Sequence, residues 1–445
     1  MTQQELSSRS RIREQRGWYF YDWANSAFST TVVTVFLGPY LITLAENAAA
    51  ENGRVGFLLW NIRPGSYFSW IVSLSVLLQV AVLPVMGAIA DRSARKRELL
   101  ATFAFIGAAA TMLMFFLEGD SYRLGGLLLV VANLAFGISI VVYNAFLPQI
   151  AEPDERDRVS SRGWSLGYLG GAILLSCNLA LFLGHDAVGL TEGQAVRVSL
   201  LSAGVWWAGF TLIPLTRLRN RTPAVVSDGW VVSAGFRQLA HTVSQMRRFP
   251  QTVLFLVAYL LYNDGIQTVV ALAAVYIEKE LLLGTSTSAS VILLVQFVAC
   301  VGALALGRLA GRLGAQRVIL LSLVVWTGVL VAAYFLPANS PAPLFALAAV
   351  IGFVLGGSQA LSRSLFSQLI PRSQEAEYFS FYEISERGTS WLGTAAFAVA
   401  YEMSGSYRVA IVILVTFFVL GGLLLLRLRV REAILAVGNT PPTVV

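Results

Sequence analysis

The segment GAIADRSARKR, Gly87 to Arg97, is a glycine-and-basic motif that directly follows a long apolar run. A degenerate copy, GRLAGRLGAQR, begins at Gly307, 220 residues later, and it also follows an apolar run. The segments LPQIAEPDERDRVSSRGWSLGYLGG, from Leu147, and FSQLIPRSQEAEYFSFYEISERGTSWLG, from Phe366, show the same spacing of about half a chain. These weak internal repeats predict a fold built from two related halves.

The composition of the chain is that of a membrane protein. Of its 445 residues, 56% are hydrophobic and only 13% are charged, and the mean hydropathy is +0.68. A soluble domain has roughly 25% charged residues. Runs of about 20 apolar residues, the length that crosses a bilayer as a helix, recur from end to end. We therefore expect an all-α membrane protein that crosses the bilayer many times.

The apolar runs predict twelve membrane-spanning helices in two sets of six. Their expected ranges are 17–44, 67–90, 98–117, 122–147, 162–184, 195–216, 252–277, 287–310, 317–336, 343–369, 376–402 and 407–427.

The longest interval between apolar runs defines the predicted domain organisation. An N-terminal six-helix bundle, 17–216, is separated from a C-terminal bundle, 252–427, by a central loop, 217–251. Residues 1–16 and 428–445 are predicted to be tails. Because each bundle crosses the membrane an even number of times, the two repeats share one topology and are related by an axis along the membrane normal.

The basic residues predict the orientation of these helices. With both termini in the cytoplasm, 25 of the 32 lysines and arginines lie in cytoplasmic segments and six in outer loops. This asymmetry is what the positive-inside rule requires. It also accounts for the net charge of +7 without a nucleic-acid partner. The chain is expected in the inner (cytoplasmic) membrane of a cell.

The repeated motif resembles the signature loop between helices two and three of the major facilitator superfamily. Gly87, Asp91, Arg92, Arg95 and Lys96 stand at the matching positions. The second copy departs from the pattern, since glycine at position 311 stands where the first copy has aspartate. The resemblance implies the twelve-helix major facilitator fold, with helices one, four, seven and ten around a central cavity.

Five further motifs are similar to bacterial members of the vacuole-effluxer-like family, named after the autophagy-related vacuolar amino-acid effluxer of yeast. They are YDWANSAF, YNAFLPQIA, SSRGWSLGYLGG, LYNDGIQTV and FYEISERGTSWLG. The similarity spans essentially the whole chain. It implies a permease and, less directly, an amino-acid substrate that is moved by efflux.

The first predicted span carries polar residues on one stripe. Asp22, Asn25 and Ser29 are spaced i, i+3 and i+7. Because an ionisable side chain at mid-bilayer costs at least roughly 2.5–3.5 kcal/mol, such a residue usually faces the bundle interior. Two interpretations stay open for Asp22. It is either an interfacial carboxylate satisfied by a nearby arginine or helix end, or a gating or ion-coupling group.

The seventh span presents a second polar face. Asn263, Asp264, Gln267 and Thr268 contribute to it, and Asp264 lies near the middle of the span. A carboxyl group there can take up and release a proton as water access alternates between the two sides. We therefore expect Asp264 to bind the coupling ion, with a buried structural hydrogen bond as the alternative.

Spans four and ten supply the remaining candidates for the central path. Asn133 lies at mid-depth in span four, with Tyr143 and Asn144 near its inner end. In span ten, Gln359 is a cavity candidate and Arg363 is expected at the inner gate. The glycines of span ten, at positions 352 and 356, are expected to allow close helix packing.

A set of charged residues is predicted to form the inner gate. If the resemblance holds, Asp91 approaches the N-terminus of span eleven, where the helix dipole favours a carboxylate. Glu383 and Arg387 of that span are four residues apart and can pair. Together with Arg92 and Arg95 they are interpreted as gate residues, with simple surface charge pairing as the alternative.

The central loop contains one further pattern. Phe236, Leu239, Val243 and Met246 recur at helical spacing with arginines nearby. This indicates a short amphipathic helix on the inner membrane surface.

The function expected from these features is secondary active transport of a small solute, coupled to H⁺ and carried out by a monomer in the lipid bilayer. No G-x-x-x-x-G-K-[ST] segment for ATP occurs, and no His/Cys/carboxylate cluster has metal-ligand spacing. We expect no enzyme activity, no cofactor and no metal. The alternatives are import or export of another small molecule, such as a sugar, peptide or drug, or a receptor or scaffold that does not transport.

Overall fold

The computed structural model describes residues 3–51, 53–221, 247–387 and 391–445. Nearly all of these residues lie in helices, as expected for an all-α membrane protein. The predicted amphipathic helix at positions 236 to 246 lies outside the described residues and stays a prediction.

The N-terminal half is a set of α-helices joined by short connections. They are α1 (Gln3–Ala27), α2 (Leu37–Asn47), α3 (Tyr67–Arg92), α4 (Lys96–Leu113), α5 (Tyr122–Asn144), α6 (Leu147–Ile150), α7 (Arg156–Leu183) and α8 (Glu192–Arg217). A π-helix, Phe28–Phe36, joins α1 to α2. Short 3-10 helices lie at Pro64–Ser66, Met114–Phe116, Pro153–Glu155 and His185–Val188.

The C-terminal half repeats this arrangement. Its helices are α9 (Pro250–Lys279), α10 (Thr285–Leu313), α11 (Ala315–Tyr334), α12 (Pro341–Gln368), α13 (Glu375–Arg387), α14 (Trp391–Ser404), α15 (Tyr407–Val412), α16 (Val415–Leu426) and α17 (Val430–Ala436).

Within the described residues, eleven helical segments are long and apolar enough to cross a membrane. The predicted eleventh span, 376–402, corresponds to α13 and α14, which lie on either side of residues 388–390. The described part of the chain therefore accounts for eleven continuous spans, and the twelfth crossing stays a prediction.

Two regions differ from the predicted tail and loop. The first helix begins at Gln3, so the expected N-terminal tail is helical. Its polar face docks on the protein, where Gln15 Nε2 donates to the carbonyl of Ile150 at 2.9 Å. Between the first two spans, β1 (Val55–Phe57) and β2 (Trp60–Ile62) form an antiparallel hairpin. Residues of high strand propensity supply both strands, in a segment whose turn signals were too weak to predict a hairpin.

Each half has its own core of aromatic and aliphatic side chains. Trp18 and Trp207 are fully buried in the N-terminal core, and Trp326 stacks on Phe418 in the other half, with ring centroids 5.5 Å apart. Because lipid tails are as apolar as these side chains, close packing rather than transfer out of water holds the helices together.

Glycines allow helices to approach closely within the C-terminal half. A Cβ added at Gly356 of α12 would lie 2.1 Å from the carbonyl oxygen of Ala299 in α10. One added at Gly352 would lie 2.7 Å from the carbonyl oxygen of Val295. The packing role expected for these two glycines is therefore confirmed.

Two ends of the bundle can be distinguished by their contacts. At one end, here called the arginine-rich end, Arg11 pairs with Glu152, Asn220 bonds Glu98, and the C-terminal segment contacts Asp154. At the opposite end, the Tyr40 hydroxyl donates to the carbonyl of Leu117 at 2.6 Å, and Arg408 pairs with Glu280. The segments predicted to be cytoplasmic meet at the arginine-rich end.

Candidate functional site

Arg363 of α12 is inserted into the N-terminal half. Its guanidinium binds the Asp22 carboxylate of α1 through both terminal nitrogens, at 2.9 and 3.3 Å. Its Nε donates to the Ser160 hydroxyl of α7 at 3.0 Å, and Nη2 also donates to the Ser160 carbonyl at 3.0 Å. The planar guanidinium fork matches this bidentate geometry. An arginine of one half therefore has its charge satisfied by the other half.

Aromatic rings surround the Asp22–Arg363 pair. The guanidinium carbon lies 4.7 Å from the ring centroid of Trp18, 5.3 Å from Trp164 and 5.6 Å from Tyr143. These rings belong to the N-terminal half and exclude water from the pair. Cation–π attraction and the ion pair together stabilise an arginine that would otherwise be costly to bury.

A polar chain continues from Arg363 through both halves. Asn144 Oδ1 of α5 accepts from Arg363 at 3.4 Å, and its Nδ2 donates to Glu383 of α13 at 2.9 Å. Glu383 pairs with Arg387 at 3.2 Å, and the Arg387 guanidinium carbon lies 4.4 Å from the ring centroid of Phe136 in α5. The chain crosses between the halves repeatedly, so separating them breaks several of its links together.

A second charged contact lies closer to the arginine-rich end. Asp91, the next-to-last residue of α3, accepts from the backbone N–H groups of Ala376 and Glu377 at 3.1 and 2.9 Å. These groups belong to the first turn of α13, where the helix dipole favours negative charge. The position of Asp91 at the start of the eleventh span is as the resemblance implies.

The cation that faces Asp91 is Lys96. Its Nζ lies 2.7 Å from Asp91 and 3.8 Å from Glu375. Of the predicted gate arginines, Arg95 is exposed at the start of α4, and Arg92 is half-buried at the end of α3. Lys96 is thus the buried basic residue of the motif, because its side chain extends toward Asp91 at the end of α3.

The two copies of the motif are alike in their glycines and different in their charge. A Cβ at Gly87 would lie 2.6 Å from the carbonyl oxygen of Ala376, and one at Gly307 would lie 2.2 Å from the Ser161 hydroxyl. Both glycines therefore allow a helix of one half to approach a helix of the other. A Cβ at Gly311, which replaces the aspartate, would meet no atom within 4 Å. The carboxylate contact is found only in the first copy.

Polar residues of α9 and α12 form a cluster inside the C-terminal half. The Asn263 Oδ1 accepts from Gln359 at 2.8 Å, and its Nδ2 donates to the backbone carbonyl of Glu386 at 3.1 Å. The Tyr259 hydroxyl lies within hydrogen-bond distance of both Gln359 and the Glu386 carboxylate, at 3.3 and 3.2 Å. The cluster brings two predicted pathway residues together with a buried tyrosine.

Asp264 faces away from this cluster. Its Oδ2 accepts a hydrogen bond from the backbone N–H of Gly393 near the start of α14, and its Oδ1 has no partner among the described residues. Thr268, one turn further along α9, lies beside the same glycine, and its hydroxyl also lacks a described partner. In the described part of the chain, no lysine or arginine forms a salt bridge with Asp264.

Three predicted pathway residues lie apart from these contacts. The Asn25 side chain donates to the carbonyl of Tyr21 in its own helix at 2.7 Å. The Asn133 side chain donates to Ser75 of α3 at 2.7 Å, so it joins two helices of the same half. Gln267 is half-buried on α9.

The C-terminal segment spans the arginine-rich end. Asn439 Nδ2 donates to the carbonyls of Gln368 and Ile370 at the end of α12, at 3.0 and 2.8 Å. A few residues later, the Thr443 hydroxyl donates to Asp154 of the N-terminal half at 2.9 Å. The predicted tail therefore contains a helix, α17, and a segment that contacts both halves.

Sequence reasoning missed several residues of this site. Trp18, Ser160 and Trp164 complete the Arg363 environment, and Glu386 joins the Asn263 cluster. Ser160 and Trp164 lie in the motif SSRGWSLGYLGG, and Glu386 lies in FYEISERGTSWLG. Serine and tryptophan are common helix-packing residues, so the motif alone assigned them no partner.

Two repeated helical halves that meet through polar contacts, with helices long enough to cross a bilayer, are typical of membrane transporters. The sequence profile described as "Vacuole effluxer Atg22 like" matches residues 10–437. The chain belongs to this family, which is of the major facilitator type.

Two relatives illustrate the range of the family. The chain is 28% identical over 411 residues to the "Uncharacterized MFS-type transporter YxiO" of Bacillus subtilis (strain 168), covering 92% of this chain and 93% of that protein. It is 26% identical over 523 residues to "Autophagy-related protein 22-1" of Penicillium rubens, covering 90% of this chain and 87% of the relative.

Solved structures share the fold at low sequence identity. A bacterial homologue of the iron transporter ferroportin in an outward-facing state superposes with a TM-score of 0.67 at 14% identity, over 94% of this chain and 98% of that one. The major facilitator transporter FucP in an outward conformation gives a TM-score of 0.66 at 14% identity, over the same shares of the two chains. These similarities define the fold as that of the major facilitator superfamily.

Proposed function

We propose that the protein is a secondary transporter that moves a small solute by alternating access between two six-helix halves. The proposal includes twelve crossings, with both termini and the arginine-rich end in the cytoplasm of the cell that carries it in its inner membrane. The excess of basic residues at that end supports this orientation. The transporter is proposed to work as a monomer.

The observation that carries the proposal is the position of Arg363. Its side chain is buried and its hydrogen bonds are all made to the N-terminal half. Access from the arginine-rich end requires the arginine to leave Asp22 and Ser160. Because a buried charge that loses its partner costs about 3–5 kcal/mol, the pair holds this end closed until other interactions compensate.

Two further sets of contacts also hold the arginine-rich end closed. One is the chain of contacts from Asn144 to Arg387, and the other is formed by Asp91 and Lys96. The Asn144–Glu383 hydrogen bond and the contacts of Asp91 and Lys96 with α13 join helices of different halves near the arginine-rich end. We propose that Asp22, Asp91, Arg363, Glu383 and Arg387 form the cytoplasmic gate, and that Lys96 belongs to it. Arg92 and Arg95 then supply surface charge around the gate, since neither is as deeply placed.

Amino acids are the proposed substrates, and efflux is the proposed direction. Support comes from the family, whose description is that of a vacuole effluxer. The cluster of Asn263, Gln359 and Tyr259 offers neutral hydrogen-bonding groups of both kinds, which suits a small polar solute. These residues are the proposed substrate contacts of the C-terminal half.

H⁺ is the proposed coupling ion and Asp264 its proposed carrier. Asp264 has one carboxylate oxygen without a described partner, and an uncompensated carboxylate inside a membrane protein is costly. A proton removes that cost without occupying the space of a metal ion. Asp22 is less suited to the role in the closed state because Arg363 neutralises it.

The experiment that tests the proposal is uptake of a labelled amino-acid panel into proteoliposomes, with and without an imposed pH gradient. Wild type is compared with Asp264→Asn. We expect gradient-dependent uptake that the variant loses. Unchanged pH dependence in the variant would exclude proton coupling through Asp264. A folded wild-type protein that takes up no amino acid would refute the substrate assignment.

A further inference from the structure

A pocket lined mainly by arginines lies on the side of α1 that faces away from the contacts between the two halves. It is a concave space of about 470 Å³ lined by Arg9, Ile12, Arg13, Arg16 and Arg217. Three of these arginines are spaced along one side of α1, and the fourth comes from the end of α8. Four of the five residues that line this space are arginines. We refer to it as the arginine pocket.

The opposite side of the same helical segment is docked on the protein. Glu14 pairs with Arg221 at 3.0 Å, and Gln15 bonds the Ile150 carbonyl and Glu155. Arg11 pairs with Glu152. Glu14, Gln15 and Arg11 are thus directed toward the protein. The arginines of the pocket are on the side that is left exposed.

With the orientation given in the proposed function, on which this inference rests, the pocket lies where the first span enters the bilayer. Gly17 follows Arg16 directly, and a Cβ there would lie 2.6 Å from the Cβ of Arg217, so α1 and α8 cross closely at this level. The apolar part of the span begins at Trp18. Phospholipid head groups occupy this depth, between the hydrocarbon core and bulk water.

One apolar side chain among the arginines favours a lipid over a soluble anion. Ile12 is 46% exposed at the pocket, which is unfavourable in water and suits the boundary between head groups and acyl chains. The guanidinium groups offer forked hydrogen bonds that match phosphate oxygens. Basic residues near a membrane surface also attract anionic lipid electrostatically.

We propose that the arginine pocket binds the head group of an anionic phospholipid of the cytoplasmic leaflet. The lipid phosphate lies among the guanidinium groups of Arg9, Arg13, Arg16 and Arg217, and Ile12 contacts the start of an acyl chain. Because α1 is one continuous helix from Gln3 to Ala27, the bound lipid also fixes the end of the helix that carries Asp22.

The test is a lipid titration of the purified full chain by native mass spectrometry, with phosphatidylglycerol and phosphatidylcholine as the two probes. The pocket variant is Arg9→Gln/Arg13→Gln/Arg16→Gln, whose side chains are exposed or half-buried. The matched control removes the same charge from exposed arginines of the other half at the same end. That control is Arg308→Gln/Arg312→Gln/Arg317→Gln.

The expected result is a loss of phosphatidylglycerol affinity of about tenfold or more in the pocket variant, and of less than about twofold in the control. Phosphatidylcholine binding is expected to be unaffected in both. Equal losses in the two variants would show general surface charge and overturn the proposal. Millimolar inorganic phosphate that displaced the lipid would instead assign the pocket to a soluble anion. Circular dichroism of both variants establishes that each is folded.

Discussion

Asp22 and Asp264 occupy corresponding first helices of the two halves, and their surroundings differ. Asp22 is bound by an arginine of the opposite half, at 2.9 Å. Asp264 is bound by a backbone N–H of its own half and keeps one oxygen without a described partner. Both carboxylates nevertheless lie against a glycine: Gly163 of α7 beside Asp22, and Gly393 of α14 beside Asp264.

This difference indicates that the two carboxylates have different roles, although they occupy corresponding helices of two related halves. A carboxylate with a cationic partner from the other half links conformational change to the breaking of an ion pair. A carboxylate without one responds to the arrival of a proton or another cation. On this account Asp22 locks the gate and Asp264 couples the ion, and each can be tested by removing its charge.

The largest effect is expected from Arg363→Gln. The change leaves the Asp22 carboxylate buried without its counter-charge, which costs about 3–5 kcal/mol in the closed state. We expect transport to fall to background and the midpoint of thermal unfolding to drop. Uptake in proteoliposomes and a thermal melt of the detergent-purified protein measure the two.

The double variant Asp22→Asn/Arg363→Gln is the control for Arg363→Gln. It removes both charges together, so no uncompensated charge is left behind. Its thermal stability is expected to return most of the way to that of wild type, while transport stays impaired. A double variant as unstable as the single one would show that the two side chains are not energetically coupled.

The next largest effect is expected from Asp264→Asn, and it is on coupling rather than on folding. Asparagine can still accept the Gly393 hydrogen bond, so thermal stability should change little. Gradient-driven uptake is expected to fall at least about tenfold, while exchange of substrate without a gradient persists. Counterflow assays measure the exchange. Loss of both activities would place Asp264 in substrate binding instead.

A smaller effect is expected at the glycine of the inner contact. Gly87→Ala places a Cβ against the backbone of α13, where overpacking costs about 1–3 kcal/mol. Gly311→Ala is the matched control because a Cβ there meets no atom within 4 Å. We expect the first variant to destabilise the closed state and the second to leave thermal stability unchanged or slightly raised. Equal melting temperatures in the two variants would contradict the assigned contact.

The smallest effect is expected from Thr443→Val. The change removes the side-chain hydrogen bond to Asp154 and keeps the backbone N–H bond to the same carboxylate. One hydrogen bond to a charged group contributes about 1.5–3 kcal/mol, and less where it is exposed. Limited proteolysis of the C-terminal segment should become faster, with transport reduced by no more than about twofold. A transport loss as large as that of Arg363→Gln would instead show that the C-terminal segment is a main contact holding the arginine-rich end closed.

The features that the sequence predicted best depend on local signals. Apolar runs of bilayer length located the membrane helices, and the repeated motif revealed the two halves. The position of Asp91 was implied by the resemblance of that motif to the major facilitator signature loop, and it agrees with the preference of a carboxylate for a helix N-terminus.

The partners within the gate were not predictable, because they come from distant parts of the chain. Asp22 and Arg363 are 341 positions apart, and Asn144 and Glu383 are 239 apart. The position of Arg363 in span ten predicted a place at the inner gate, but it did not identify Asp22 as the partner. Similarly, the motif did not assign Asp91 a basic partner, and its salt bridge with Lys96 is seen only in the structure.

The measurement that tests the central claim most directly is the distance between spin labels across each end of the membrane bundle. Ala94→Cys and Ser373→Cys, both exposed, report on the arginine-rich end in a protein whose two native cysteines are replaced by serine. Asp120→Cys and Lys279→Cys, also exposed, report on the opposite end. Double electron–electron resonance gives both distance distributions in lipid nanodiscs.

If the ion pair holds the arginine-rich end closed, the wild-type distribution between positions 94 and 373 is dominated by its shorter distance. Arg363→Gln should shift that population to longer distances and the population between positions 120 and 279 to shorter ones. Distributions that Arg363→Gln leaves unchanged at both ends, in a folded protein, would contradict the role of Arg363 and Asp22 as the lock.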